Sequence, residues 1–448
     1  MSAEENRRGP EAVRDRYLAA FEGFERSLNG GAGRLHARRR EAIARVADIG
    51  LPTSRYEAWS HTNPAPLTHT FFAPVAEPGP LTAAEVRPLL ADGVDGAVLV
   101  FVDGCYVPDL SRAGALPAGV QVRSLGDLGP EEWEGLDDLG AHTLDLDESF
   151  AALSTAFVRD GAFISVPGGA ALDTPVQVLH VASGQGLTTP RTLVAAGAGS
   201  QVTVIETFAG TGAGAGRLVA PVTEISVGPG AGVEYGRVHL HGEAACHAGT
   251  LHVKEAGEAR FTAHTLCLTG RAVREDVTTV LDGEGIDSTL NGLFLPRARE
   301  LVDNYTTIEH AAPNCSSHEL YKGILGGRAQ GVFRGKIHVH RVAQKTDAFQ
   351  SNQNLLLSDD AQVTSKPQLE IYADDVRCSH GSTTGQLDAA ALFYLRSRGV
   401  GLAEARRVLT RAFAGELVER VTHDGLRAHV EGLVSRRVDA VLAGGEAA

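Results

Sequence analysis

Cys378 and His380, in the stretch Arg377-Cys378-Ser379-His380-Gly381, are the residues whose types and spacing most directly suggest chemistry. Side chains alternate across a β-strand, so a thiol and an imidazole two residues apart share a face. A strand rise of roughly 3.3 Å per residue separates their Cβ atoms by roughly 6–7 Å. Thiolate and imidazole suit zinc or iron–sulfur chemistry, and bonds of about 2.0–2.3 Å would let both reach one metal or adjacent irons. Arg377 would favour the thiolate electrostatically. Two ligands do not fill a four-coordinate site, so the others come from elsewhere in the fold or from a second polypeptide. Simple packing stands beside ligation, because Cys is among the most buried residue types. A nucleophile–base pair is the poorer reading, since such partners usually come from distant parts of a sequence with a third group orienting the imidazole.

Other motifs carry less. The histidines His239, His241, His247, His310, His318, His338 and His340 cluster loosely, with no H-E-x-x-H, and read as strand-face or turn residues making ordinary hydrogen bonds. The run Gly210-Thr211-Gly212-Ala213-Gly214-Ala215-Gly216 follows a strand, but no helix start comes after it, so it reads as a turn rather than a dinucleotide loop. There is no P-loop signature, so the chain is not itself a P-loop ATPase. The five cysteines are scattered without a C-x-x-C pair, which fits a reduced, cytoplasmic protein. A net charge of −14 argues against a nucleic-acid partner. Neither a secretory signal nor a membrane span is expected.

The elements that must position the Cys–His pair follow from texture. In 448 residues there are 52 glycines, 6% aromatics and one Met, so Val, Leu, Ile and Ala must fill the core. Residues 1–150 read as a mostly helical N-terminal region, with Tyr17, Leu18, Phe21 and Phe24 as an apolar stripe broken by Asn29-Gly30-Gly31. A strand-like Ala97-Val98-Leu99-Val100-Phe101-Val102 lies within it. Residues 151–386 hold short apolar alternations between Gly, Pro and Asp turns, the mark of an all-β unit; a parallel β-helix and a β-sandwich both fit. Residues 387–448 return to helix. Asp388 caps a first segment that Gly399 stops. The stripe Ala405, Val408, Leu409, Ala412, Phe413 and then Leu426, Val430, Leu433, Val434, Val441 mark two more helices, expected to pack on one another as a small domain. Strand parity puts Leu369 and Ile371 on one face and Val376, Cys378 and His380 on the other, leaving a bend near Asp374-Asp375 to set which looks outward.

Several segments then resemble one family, the SufB/SufD scaffold proteins of the SUF iron–sulfur cluster assembly system. They are Val332-Phe333-Arg334-Gly335-Lys336-Ile337, Ala343-Gln344-Lys345-Thr346-Asp347-Ala348-Phe349-Gln350-Ser351-Asn352-Gln353-Asn354-Leu355-Leu356-Leu357-Ser358, Pro367-Gln368-Leu369-Glu370-Ile371, Cys378-Ser379-His380-Gly381 and Phe393-Tyr394-Leu395-Arg396-Ser397-Arg398-Gly399. Weaker echoes are Phe157-Val158-Arg159-Asp160-Gly161 and Leu51-Pro52-Thr53-Ser54-Arg55-Tyr56-Glu57-Ala58-Trp59. The last of these, with Cys-Ser-His-Gly, looks like the SufD branch. SufB-like chains carry a cluster-site cysteine where Ser358-Asp359-Asp360-Ala361-Gln362-Val363-Thr364 has no thiol, and an acidic E-H-E-like run where this chain has Cys378-Ser379-His380.

The resemblance implies a right-handed parallel β-helix core flanked by N-terminal and C-terminal helices. It implies a non-enzymatic scaffold that pairs with a SufB-like paralogue and binds a SufC-like ABC-type ATPase through its C-terminal helices. His380, with Cys378, would then supply this chain's half of a transient iron or iron–sulfur site shared with that partner, with no permanently bound cofactor. Self-association of an isolated chain through the same edge stays open. Two alternatives remain beside it: a β-helix carbohydrate-active enzyme, which would need paired carboxylates in a groove, and a purely structural brace for the SufB-like partner.

Overall fold

The computed structural model describes residues 9–28, 34–129, 148–212 and 214–444, and in these the short β segments stack as coils of a two-sheet parallel β-helix of about eight turns. Residues 1–8, read for a signal sequence, and the Asn29-Gly30-Gly31 break lie outside the described residues. Successive strands alternate between a ten-stranded and an eleven-stranded sheet: Arg260–Thr269 lies in the first, Ala272–Leu281 in the second, Asp287–Phe294 back in the first. No coil can satisfy its own strand N–H and C=O groups; the next coil does so, strand on parallel strand.

One inward column shows the logic. Ile164, Val194, Ile225, Val253, Thr279, Ile308, Ile337 and Leu369 lie one upon the next through the eleven-stranded sheet. The step from Val253 to Thr279 and that from Ile337 to Leu369 differ in length, because corner turns absorb extra residues without disturbing the register. This is why the stacked architecture leaves no fixed sequence period. Corners are tight where coils meet: Gly327 has φ +68°, and a Cβ there would lie 3.0 Å from the Ala298 backbone.

Both sheets also have apolar outer faces, and helices cover them. Helix Pro10–Ser27 buries Val13, Tyr17, Phe21 and Phe24, while Leu18 of the expected stripe is only half-buried. With Arg34–Ile49 and Ser149–Phe157 it packs over Leu187, Leu218, Ala248, Ala272 and Leu301 of the eleven-stranded sheet. Burying each such Leu or Phe side chain is worth roughly 1.5–3 kcal/mol. The strand Val98–Val102 pairs in parallel with Val176–Ala182, so the ten-stranded sheet already begins within the first 150 residues.

At the C-terminus Asp388 Oδ1 accepts from the Ala390 N–H at 2.9 Å, capping Ala389–Ser397, and Gly399 ends that helix with φ +88°. In Asp424–Gly444 all five expected positions, Leu426, Val430, Leu433, Val434 and Val441, are buried. Their cover corrects the expectation of helices packing only on one another: they lie against Val238, Leu266, Leu293 and Leu320, on the outer face of the ten-stranded sheet. The stripe on Leu402–Val418 is split. Ala405 is buried, but Val408 and Ala412 are exposed, and Thr410, Ala414, Leu417 and Val418 take the covered side.

The two ends of the solenoid differ. Antiparallel pairing closes the N-terminal end, with Cys105–Tyr106 against Val98–Val102 and Gln121–Ser124 against Ala162–Val166. At the C-terminal end Gln362–Ile371 and Val376–Gly385 each pair on one side only among the described residues. The second of these edge strands, Val376–Gly385, carries the Cys–His stretch.

Candidate site at the open end of the solenoid

Cys378 and His380 sit on the last strand of the ten-stranded sheet, opposite Ala348 and Gln350 of Thr346–Leu356. The bend at Asp374-Asp375 turns both terminal strands the same way: Leu369, Val376 and Cys378 all pack against the solenoid interior, and Ala373 is buried at the corner. Cys378 is therefore half-buried, against the last complete coil. His380 shares that parity, but no further coil covers it, and it is exposed together with Ser382 and Thr384. The structure thus brings the pair to one face of one open edge.

The electrostatics correct one expectation. Arg377 does not favour the thiolate; burial pushes the Cys378 thiol up, and the Asp347 carboxylate pushes it further, against the Ala348 backbone N–H, which lowers it. Arg377 lies on the opposite, outward face of the strand. An ion binding here would have to displace the thiol proton, so occupancy would release a proton and strengthen as pH rises.

Behind His380 the interior is polar. Gln350, next on the column, is buried and donates through Nε2 to Glu319 Oε2 at 2.6 Å. Burial raises the Glu319 carboxyl to about 7. Asn352 and Asn354 follow on the same strand, with Asn354 Nδ2 donating to Asn352 Oδ1 at 2.7 Å. Several large side chains of the last strands and the helix after them are exposed: Phe393 is 75% exposed, Tyr372 61% and Tyr394 57%, with Phe349 and Ile371 less so.

The other histidines do not converge here. His338 and His340 lie on the outer face of the other sheet and meet Glu370 at 3.0 Å and Glu309 at 2.5 Å, hydrogen bonds of the ordinary kind expected. His239, His241 and His247 come together far inside. Five strand spacings of roughly 4.8 Å separate their coil from the last strand. Read from sequence as separate strand-face or turn residues, these three are instead brought together by the fold; His239-x-His241 followed by His247 across a Gly-containing corner is the signal that could have found them. Cys246 and Cys315 are buried, and burial raises both thiols.

Comparison with known proteins agrees with this architecture. Residues 179–413 match the model of the SUF system FeS cluster assembly SufBD core domain, and residues 11–178 match the SufBD protein N-terminal region. The chain is similar to the iron–sulfur cluster assembly protein SufD of Escherichia coli K12, with 33% identity over 88% of this chain and 91% of that one. A SufBD-family iron–sulfur cluster assembly protein of Synechocystis is 29% identical over 89% of this chain and 90% of its own length. SufD of Bacillus subtilis is 29% identical over 65% of this chain and 67% of its own.

Proposed function

The chain belongs to the SufBD family of iron–sulfur cluster assembly proteins and is SufD-like, and from that premise we propose that it is a scaffold subunit contributing half of a transient cluster site. Its cargo is iron or a nascent iron–sulfur cluster, held at an interface with a SufB-like paralogue. His380 supplies an exposed imidazole and Cys378 a sulfur that ionises on binding. The single observation that carries this reading is that the pair lies on an edge strand with no neighbour on its far side among the described residues. Unpaired edges are normally covered or blunted, and this one, Val376–Gly385, has one charged residue at its start, Arg377, and neither lysine nor proline. A partner strand adding to it would bring its own ligands opposite His380.

A SufC-like ABC-type ATPase would dock on the C-terminal helices, where Leu402 and Val408 are left exposed. The scaffold role itself is non-enzymatic, with ATP hydrolysis in that partner. Among the described residues no helix is long and apolar enough to cross a membrane, and we place the protein in the cytoplasm.

The test is coexpression with SufB-like and SufC-like partners and anaerobic purification. His380→Ala should leave the complex assembled while lowering retained iron and sulfide at least about tenfold, the loss usual for weakening a metal's coordination. Cys378→Ser should have the same direction. Full loading in an intact His380→Ala complex would leave only the brace role.

A further inference from the structure

A second group of ligand-type side chains lies inside the solenoid, unused by the open-end site. His239 is near the end of the strand Gly232–Leu240 in the ten-stranded sheet, His247 is near the start of Cys246–Glu255 in the eleven-stranded sheet, and His241 sits in the corner between them. One ligand atom from each lies within 4.8 Å of the other two. His241 Nε2 and His247 Nδ1 face each other at 2.9 Å. On its far side His247 Nε2 meets Glu275 Oε1 at 2.5 Å. A carboxylate there keeps the proton on Nε2 and turns the Nδ1 lone pair toward the cluster, as in carboxylate–histidine–metal arrangements.

The cluster is left unsatisfied as it stands. His239 and His241 are 0% and 3% exposed, yet both ring nitrogens of His239 and Nδ1 of His241 have no hydrogen-bond partner among the described residues. His239 Nε2 lies 3.2 Å from Glu275 Oε1 but is poorly aligned with it. Leaving a buried polar atom unpaired is costly, because it has given up water without gaining a partner. Burial holds all three imidazoles well below their usual pKa, which favours the neutral form able to offer a lone pair to an ion. The nearby cation, Arg237, is balanced by Glu275 at 3.1 Å. Glu206 adds a second carboxylate near His247 and Arg237.

We propose that His239, His241 and His247 form a three-imidazole site for one divalent first-row transition ion of the zinc or ferrous class, with Glu275 orienting His247 behind it. Imidazole donors select such ions over magnesium or calcium. On binding, neutral His241 carries its proton on Nδ1 rather than Nε2, so the ion takes the place of that shared proton. The ion would tie the two sheets together at one corner, a clip in the middle of the stack rather than a cargo site at its end.

The test uses the purified full chain without partners, stripped by chelator and titrated with Co2+ alone. One equivalent should bind with the visible absorption of tetrahedral cobalt, and Zn2+ should displace it and raise the melting temperature. His239→Ala should weaken binding at least about tenfold and abolish the Zn2+ effect on melting. Should that variant not fold, His241→Cys decides: it should keep one equivalent and add a thiolate-to-cobalt charge-transfer band beyond the wild-type spectrum. No stoichiometric uptake by the wild type, or uptake by His241→Cys without the added band, overturns the proposal. Neither outcome bears on His380, whose role is read only in the partnered complex.

Discussion

Glu255 shows what the polar interior demands of single residues. It is fully buried, Thr279 and Ser288 hydroxyls donate to its Oε1 at 2.5 and 2.7 Å, and burial raises its carboxyl to about 8. An unfolded Glu titrates near 4.3. Between those values the folded chain holds a proton that the unfolded chain releases, so this contribution is complete below about pH 4.3 and is lost as pH rises through about 8. Glu319, raised by burial to about 7, has the same sign. Glu206 has the opposite sign: burial raises it, but the His180 hydrogen bond and charge bring it down to about 2, so its contribution is present above about pH 4.3 and fades as pH falls through 2. Glu255→Gln should therefore raise the melting temperature at about pH 8.5, by an amount on the order of a few kcal/mol in stability, and change it little near pH 4.5. An equal effect at both pH values would show that Glu255 is not held protonated. Such residues were invisible in the sequence, where Glu255 is one acid among many. The Cys378–His380 pair was legible because strand parity alone puts both on one face. The direction of the Cys378 shift was not, because it is set first by burial against the neighbouring coil and then by Asp347 of that coil.

At the scale of elements, strands and helices were readable and their partners were not. Leu426, Val430, Leu433, Val434 and Val441 announced a helix through their spacing, and each is buried. What covers them, the outer face of the ten-stranded sheet, follows from apolar residues on both strand faces, as in sheets buried on both sides. The stripe through Val408 and Ala412 failed as a guide to burial for the same reason: the docking angle of Leu402–Val418 on the solenoid favours the Ala414–Leu417–Val418 side. Choosing the β-helix over the sandwich needed the register, since coil lengths vary from corner to corner. The open edge makes its own prediction. A charge on Val376–Gly385 should act only through partner pairing, because that strand is almost entirely exposed. Ser382→Lys should leave the isolated chain's stability within about 0.5 kcal/mol while lowering recovery of the SufB-like partner in copurification. Unchanged recovery would place the partner somewhere other than this edge.

Over the whole molecule, the contrast between the ends governs how the fold opens. Each coil of a solenoid touches only its neighbours, so stability is close to a sum of coil terms and interface terms, and terminal coils are weakest unless capped. The N-terminal end has its antiparallel strands, and the helices of the first 157 residues cover one sheet. The C-terminal helices cover the other sheet as far as Leu355 and Leu357, one strand short of the end. Among the described residues the terminal coil, Gln362–Ile371 with Val376–Gly385, has one neighbouring coil, and its His380, Ser382 and Thr384 are exposed. Amides of Val376–Gly385 that bond to Thr346–Leu356 should therefore exchange with solvent at least about tenfold faster than those of Ala272–Leu281, a gap of about 1.4 kcal/mol in opening free energy. A SufB-like partner pairing with the edge would supply the missing neighbour and slow the terminal amides selectively, leaving the central coils unchanged. Uniform protection along the solenoid in the isolated chain would mean that this end is already closed by contacts of its own, and the edge would lose its standing as a place where a partner completes both the sheet and the metal site.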